Sequence, residues 1–172
     1  IGASHHLTPL DVREKLAIPK AQVAILLRQL QDALPAVEGV LLSTCNRIEW
    51  YLAVPSDHFE AAECWVLNFF AQRAERTIEQ LQPFLFQLVD QAATEHLFRV
   101  AASLDSMVVG ESQIVSQVRE AYEEAAKSQR LLPVVHLWFQ KAIAVAKSIT
   151  TETALHRHRV SIPSVAISGF AA

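Results

Sequence analysis

The segment that decides the organisation of the chain is STCNR, residues 43–47, which separates two apolar runs. The run before it, residues 40–42, and the run after it, residues 48–54, are rich in residues that favour strands. Two strands this close in sequence form a β-hairpin, and Asn46 tolerates the positive φ that some tight turns need. The sequence therefore predicts a hairpin with Cys45 in its turn.

Cys45 at that position suggests chemistry as well as structure. A thiol attacks as its thiolate, and a nearby positive charge lowers a cysteine pKa from its usual value of about 8.5. Arg47, two residues further along, supplies such a charge. The alternative is that a small residue simply occupies a turn, and the residues alone leave both interpretations open.

Composition limits the class of protein. Apolar residues make up 51% and charged residues 19% of the 172 residues, which is typical of a globular chain. The net charge of −3 gives no whole-chain signature of nucleic-acid binding. Two cysteines, Cys45 and Cys64, are too few for a disulfide framework and indicate reduced thiols. Bulky apolar neighbours place Cys64 in the expected core, and no run has membrane-spanning length.

The element pattern predicts an α+β fold of the ferredoxin-like type, with βαββαβ order, an antiparallel sheet and helices on one face. Its four strands are expected at residues 1–4, 40–42, 48–54 and 84–88. Additional C-terminal helices are expected to begin at Asp90, Ser112 and Pro133. The last is apolar on most sides, which predicts that it is buried.

His96 falls on the flank of the apolar stripe of the helix that begins at Asp90. A histidine at such an edge either contacts the core as a structural residue or reaches into a cleft. The sequence does not choose between them.

Four polar residues gather where the next helix begins: Glu111, Ser112, Gln113 and Gln117. The two glutamines are i,i+4 neighbours on one side of the helix. Such a group is able to hold an α-amino acid, with Glu111 taking the ammonium and the amides taking side-chain oxygens. Ordinary capping by Ser112, with solvated glutamines, is the alternative.

Three motifs together resemble the glutamyl-tRNA reductase family. They are GASHHLTPLDVREK at residues 2–15, STCNRIE at residues 43–49, and HLFRVA at residues 96–101 followed by LDSMVVGESQI at residues 104–114. The resemblance covers nearly the whole chain. It departs from the family pattern at residues 7–8, where Leu-Thr replaces the usual Thr-Ala, and at Ser112, where proline or threonine is usual.

The resemblance implies an NADPH-dependent oxidoreductase of tetrapyrrole (porphyrin) biosynthesis. Cys45 would attack the glutamyl ester of charged tRNA(Glu) and form a thioester, which NADPH reduces to glutamate 1-semialdehyde. His96 matches the family's activity-linked histidine. The substrate-pocket positions are matched by Thr44, Asn46, Arg47, Ser106, Glu111, Ser112, Gln113 and Gln117.

The resemblance also implies a domain organisation. Residues 1–155 are expected to form the catalytic domain, and residues 156–172 to lead into an NADPH-binding domain absent from this sequence, which starts without Met and is expected to be part of a longer chain. The glycines, Gly2, Gly39, Gly110 and Gly169, form no dinucleotide loop. No metal is expected. The implied partners are glutamyl-tRNA(Glu), a second subunit in a homodimer formed by a C-terminal domain, and glutamate-1-semialdehyde aminomutase. The implied location is the cytoplasm, and no membrane is expected as a partner.

Two rival functions remain. A ferredoxin-like domain also serves as a non-catalytic RNA-binding or regulatory module. A cysteine esterase would need His96 close enough to activate Cys45, and water admitted to the thioester.

Overall fold

The structure of the chain is a computed structural model, and it describes residues 1–107, 113–129 and 131–152. The strands of this part are Gly2–Ser4 (β1), Glu38–Ser43 (β2) and Arg47–Ala53 (β3). The α-helices are Leu10–Leu16 (α1), Lys20–Ala33 (α2), Phe59–Ala74 (α3), Ile78–Leu81 (α4), Asp90–Ala101 (α5), Gln113–Ser128 (α6) and Pro133–Glu152 (α7). Short 3₁₀ turns lie at Ser56–His58 and Gln82–Phe84. The fold belongs to the mixed α/β class.

The three strands form an antiparallel sheet in the order β1-β3-β2. The predicted hairpin is confirmed: β2 and β3 pair from Glu38 opposite Ala53 to Ser43 opposite Ile48. β3 is therefore the central strand of the sheet, and its first five residues are buried. Helices α1 and α2 begin directly after Pro9 and Pro19, because proline suits the start of a helix.

Helices cover both faces of the sheet. Trp50 of β3 packs edge-on against Trp65 of α3, with ring centroids 5.4 Å apart. The next residue, Tyr51, projects to the opposite face, as strand geometry requires. Its ring packs against Phe139 of α7, with ring centroids 5.6 Å apart. The additional C-terminal helices, which the prediction assigned to neither face, therefore bury their apolar sides against the second face of the sheet.

The predicted fourth strand at residues 84–88 is reduced to a single antiparallel bridge, which joins Gly2 to Phe86. Gly2 N–H donates to the Phe86 carbonyl at 3.0 Å, and the reverse bond measures 2.9 Å. Glycine is required here, since a Cβ would lie 2.7 Å from Glu49 Cγ and 2.9 Å from Phe86 Cζ. The bridge places residue 86 on the outer side of β1.

A side chain explains why this pairing stops. The next pair along the ladder would join Ser4 to Phe84. Instead, Ser4 N–H donates to Thr8 Oγ1 at 3.1 Å, and the Thr8 hydroxyl donates to the Phe84 carbonyl at 2.7 Å. The Ser4 carbonyl accepts backbone N–H groups of the turn that follows β1. The strand prediction at residues 84–88 is therefore wrong, because a hydroxyl and a turn occupy the groups that a ladder needs.

Helix α7 is buried on one side only. Val135, Phe139 and Ala142 lie in the core, whereas Val134 and Leu137 are 57% and 58% exposed. The prediction of burial therefore holds for one side of this helix. Within the described residues, no helix combines the length and apolarity that crossing a membrane requires.

Candidate functional site

The turn of the β2–β3 hairpin is closed by a side chain. The Thr44 hydroxyl oxygen accepts the N–H groups of Asn46 and Arg47, each at 3.2 Å, and Thr44 N–H donates to the Arg47 carbonyl at 2.8 Å. Asn46 is not among the described non-glycine residues with positive φ, so this turn does not use the tolerance of asparagine for that region. The threonine hydroxyl satisfies the turn amides and leaves the Cys45 side chain exposed at the tip.

The N-terminal segment fixes the backbone on either side of the thiol. Arg13 of α1 donates through Nε to the Cys45 carbonyl at 3.1 Å and through Nη1 to the Thr8 carbonyl at 3.0 Å. His5 N–H donates to the Asn46 carbonyl at 2.9 Å. Sequence reasoning gave Arg13 no role, because its position next to Val12 in a short helix carries no periodic signal. Both carbonyls of the turn are thus held from outside the hairpin.

Cys45 lies at a small cleft, which most of the predicted site residues line. The other lining residues are Thr44, Asn46, Arg47, Ser106, Gln113, Ile114 and Gln117. Glu111 and Ser112 lie outside the described residues. Three elements thus meet at the thiol: the hairpin, the loop after α5 and the first turns of α6. Their function at this place stays a prediction.

The end of α5 directs Ser106 to the cleft. Ser103 adopts the left-handed region, with φ of 60°, and donates its N–H to the Val100 carbonyl at 3.0 Å. Leu104 N–H donates to the Arg99 carbonyl at 2.9 Å. This pair of bonds is a Schellman motif, which usually has glycine at the left-handed position. The strained serine reverses the chain, so that Asp105 and Ser106 return to the hairpin.

Arg47 is enclosed by protein rather than free, with 1% of its side chain exposed. Its Nη1 donates to Glu49 Oε1 at 2.8 Å and lies 3.6 Å from Asp105 Oδ2, while Nη2 donates to the Asp105 carbonyl. Two carboxylates therefore offset the positive charge beside the thiol. Burial alone would raise the pKa of Asp105, but Arg47, His6 and His96 together lower it.

Glu49 is the functional candidate that sequence reasoning missed. It is buried and accepts hydrogen bonds from Arg47 and the Tyr51 hydroxyl, while His96 Nε2 lies 3.1 Å from its Oε2. Burial would raise the pKa of Glu49, yet the hydrogen bond to His96 and the charge of Arg47 outweigh it and lower the pKa. Burial and Glu49 raise the pKa of Tyr51. The available signal was polar residues at 47, 49 and 51, which share one face of a strand.

His96 lies behind this cluster rather than at the thiol cleft. Its Nδ1 is 3.6 Å from Asp105 Oδ2, and its ring centroid lies 5.0 Å from that of Phe86. With Glu49, it lines a separate open groove of about 750 Å³ that is otherwise mainly apolar. Its contacts with two carboxylates suit either a positioning role or proton transfer.

The second cysteine is unrelated to this site. Cys64 is exposed on α3, and Asn68 Nδ2 lies 3.2 Å from its Sγ. The prediction that it fills the core is wrong, because the buried stripe of α3 runs through Ala62, Val66 and Phe70. Apolar neighbours in sequence did not reveal which side of the helix faces inward.

Among the described residues, the glycines do not provide a dinucleotide-binding loop. Gly39 lies inside β2, where a Cβ would be 2.6 Å from Leu30 Cδ2 and 3.0 Å from Leu52 Cδ2, and Gly2 is similarly packed against Glu49 and Phe86. These glycines permit close packing and do not form a phosphate loop between a strand and a helix. Within the same residues, no cluster of three metal-ligating side chains occurs.

The fold and cleft define a mixed α/β domain that presents a cysteine thiol on a hairpin, beside a polar cleft and above a buried arginine–carboxylate cluster. The family described as "Glutamyl-tRNAGlu reductase, N-terminal domain" matches residues 1–153 of this chain. The chain belongs to that family, and the resemblance inferred from its motifs is confirmed.

Individual relatives agree with this assignment. The chain is 39% identical over 167 residues to a glutamyl-tRNA reductase of Cyanophora paradoxa, which covers 97% of this chain and 38% of the relative. It is 37% identical over 168 residues to a glutamyl-tRNA reductase of Herpetosiphon aurantiacus, and the match covers 98% of this chain and 39% of that relative. The solved glutamyl-tRNA reductase from Methanopyrus kandleri superposes with a TM-score of 0.73 at 28% identity, covering 97% of this chain and 37% of that one. The chain thus spans under two fifths of that structure's length.

Proposed function

We propose that this chain is the acyl-accepting domain of a glutamyl-tRNA reductase, in which Cys45 takes the glutamyl group from charged tRNA(Glu). One observation carries the proposal: an exposed thiol stands at a cleft lined by polar residues from three separate elements. The family match supports the substrate class. Ser106, Gln113 and Gln117, with Thr44 and Asn46, provide the hydroxyls and amides that would bind the glutamyl group.

The acyl transfer balances with these residues alone. The Cys45 thiol loses its proton, and the thiolate sulfur attacks the carbonyl carbon of the glutamyl ester. A carbon–sulfur bond forms, the carbon–oxygen bond to the ribose breaks, and the ribose oxygen takes up a proton. Arg13 holds the Cys45 carbonyl, so the sulfur starts from a fixed backbone. His96 touches both carboxylates of the cluster and would set their orientation, or pass the proton.

The reduction that completes the family's reaction is not assigned to these residues. NADPH supplies hydride for converting a thioester to an aldehyde, but the described part of the chain does not fit that cofactor. We therefore expect these residues to form the thioester and not to reduce it. The product expected with the cofactor-binding part of the family's longer chains is glutamate 1-semialdehyde.

Intact-protein mass spectrometry tests the proposal directly. The protein is mixed with glutamyl-tRNA(Glu), quenched in acid and weighed, and the modified peptide is then mapped. The expected result is one glutamyl adduct on Cys45, with none on the exposed Cys64, which serves as an internal control. Absence of an adduct while charged tRNA binds would favour a non-catalytic RNA-binding module. Rapid turnover of small esters without an adduct would favour a cysteine esterase.

We also infer a ferredoxin-like arrangement, in which residue 86 stands where the fourth strand would lie. Its bridge to Gly2 supports the order of residue 86, β1, β3 and β2, which is the order of a split βαβ sheet. Homodimerisation through a C-terminal domain, transfer of product to glutamate-1-semialdehyde aminomutase and a cytoplasmic location remain proposals that rest on the family.

A further inference from the structure

A contact outside the cleft joins the N-terminal segment to the loop that carries Ser106. His6 Nε2 lies 2.6 Å from Asp105 Oδ1. The His6 side chain is 58% exposed, whereas that of Asp105 is 17% exposed. Solvent protons therefore reach one partner of this contact directly, while the other partner belongs to the interior of the site. We call this contact the clasp.

The second carboxylate oxygen of Asp105 faces the cluster beneath Cys45. Oδ2 lies 3.6 Å from Arg47 Nη1 and 3.6 Å from His96 Nδ1, and the Asp105 carbonyl accepts a bond from Arg47. The next residue is Ser106, which lines the cleft. The position of Asp105 therefore determines where the Ser106 hydroxyl stands relative to the thiol.

We propose that His6 is a positioning residue for acyl transfer: its protonated ring holds Asp105, and with it Ser106, against the cleft, and transfer weakens as His6 loses its proton. The proposal rests on the proposed function, because it assigns a role within that reaction. A charged imidazolium binds a carboxylate more strongly than a neutral ring does. Histidine is the side chain whose charge responds most readily to pH near neutrality, so a pH series is the natural test of a charged contact.

Other charged groups face the clasp from neighbouring elements. They are His5 in the same loop, Arg13 in α1, Arg47 and Glu49 in β3, and His96 in α5. Burial, together with the charges of His6 and Arg47, lowers the pKa of His5. His96 is bound to Glu49 and is 15% exposed. Substitution of His6 alone therefore separates its contribution from those of its neighbours.

Three variants test the proposal beside the wild type. His6→Lys keeps a charge at every pH used, and His6→Gln keeps a hydrogen-bond donor without charge. His58→Gln is the matched control, because the His58 side chain is partly exposed, at 39%, and its Nδ1 lies 3.0 Å from Oδ1 of the neighbouring Asp57, just before α3. Transfer of the glutamyl group to Cys45 is timed by quenching and mass spectrometry from about pH 5.5 to 8.5, a range that brackets the ordinary histidine pKa.

The expected ratio of wild-type rate to His6→Lys rate is near one at the acid end and falls roughly two- to fivefold at the alkaline end, the range of a partly exposed ion pair. His6→Gln should show the lower rate throughout, and His58→Gln should follow the wild type. A ratio that stays constant with pH overturns the proposal. So does a His6→Gln rate equal to that of the wild type at acid pH.

Hydrogen exchange of residues 103–107 supplies a readout that needs no tRNA. At acid pH these amides should exchange faster in His6→Gln than in wild type or His58→Gln, because the loop has lost its clasp. If the wild type forms no adduct at all, the proposed function fails. The difference in hydrogen exchange then tests by itself whether His6 holds the loop through Asp105. Equal exchange in the three proteins would then overturn it.

Discussion

The two faces of β3 differ in what they bury. Toward α3, the strand presents Ile48 and Trp50, which are apolar and fully enclosed. Toward the C-terminal helices, it presents Arg47, Glu49 and Tyr51, which are just as enclosed but hydrogen-bonded to one another. Because successive side chains of a strand point to opposite faces, β3 has an apolar packing face on one side and a charged, hydrogen-bonded face on the other. Burial alone therefore does not distinguish structural residues from candidates for function, because both faces are equally buried. The hydrogen bonds of the buried side chains make the distinction.

The largest expected effect is on acyl transfer, and it follows from substitution of Cys45 in the turn that precedes β3. Cys45→Ser should reduce acyl transfer at least about 10⁴-fold, because a hydroxyl replaces the attacking thiolate. The free energy of unfolding should stay unchanged, since residue 45 is exposed. Single-turnover transfer and urea unfolding measure the two quantities. Near wild-type transfer by this variant would remove Cys45 from the reaction.

The packing face is tested by Trp50→Ala. Loss of a fully buried indole that contacts Trp65 and Phe69 should cost about 3–5 kcal/mol in the free energy of unfolding. Under conditions where the variant is folded, Cys45 should still accept the glutamyl group. Leu137→Ala, at a position 58% exposed, is the control and should change little. A larger loss for Leu137 than for Trp50 would contradict the assignment of the core.

The charged face is tested by Glu49→Gln, which keeps the shape and removes the charge. We expect a loss of about 1–3 kcal/mol near neutral pH, because Arg47 loses a buried ionic partner. Since the folded-state pKa of Glu49 is depressed, its contribution is present above the ordinary value of 4.5 and is lost as pH falls. The stability difference between the two proteins should therefore shrink in acid.

Urea unfolding of wild type and Glu49→Gln at a series of pH values measures this difference. Glu120→Gln is a suitable control, because Glu120 is exposed and its ion pair with Lys20 lies at the surface. A difference for Glu49 that grows as pH falls would mean that the carboxyl is neutral in the folded protein.

The smallest effect is expected at the other cysteine. Cys64→Ser should change the free energy of unfolding by no more than about 0.5 kcal/mol, because the side chain is exposed on α3. Acyl transfer should be unaffected. Thermal unfolding and the adduct assay measure both, and a loss of several kcal/mol would restore the idea that Cys64 belongs to the core.

Local signals were sufficient for the hairpin and for the beginnings of α1 and α2. Apolar runs around residues 43–47 predicted the paired strands, and Pro9 and Pro19, which suit the start of a helix, stand directly before α1 and α2. These features depend on residues adjacent in sequence. The motifs also indicated the residues that meet at the cleft, Thr44 to Arg47 with Ser106, Gln113 and Gln117.

Features that depend on distant residues were not predictable. The fourth strand failed because Thr8, 76 residues away from Phe84, takes its carbonyl. The bond between Glu49 and His96 joins positions 47 residues apart, and no periodicity within β3 or α5 indicates that they meet. Asp105 was likewise quoted in a motif without a role, because its partners His6, Arg47 and His96 come from three other segments.

The Thr8 hydroxyl between Ser4 and Phe84 also has a dynamic consequence. A direct backbone–backbone hydrogen bond, such as those between Gly2 and Phe86, opens only when the two backbones separate. The Ser4 amide, in contrast, is released when one threonine side chain changes rotamer, a motion that needs no strand separation. Two amides of the same short strand are thus governed by different opening events. Deuterium uptake at Ser4 would report the rotation of Thr8, and uptake at Gly2 would report the opening of the sheet edge.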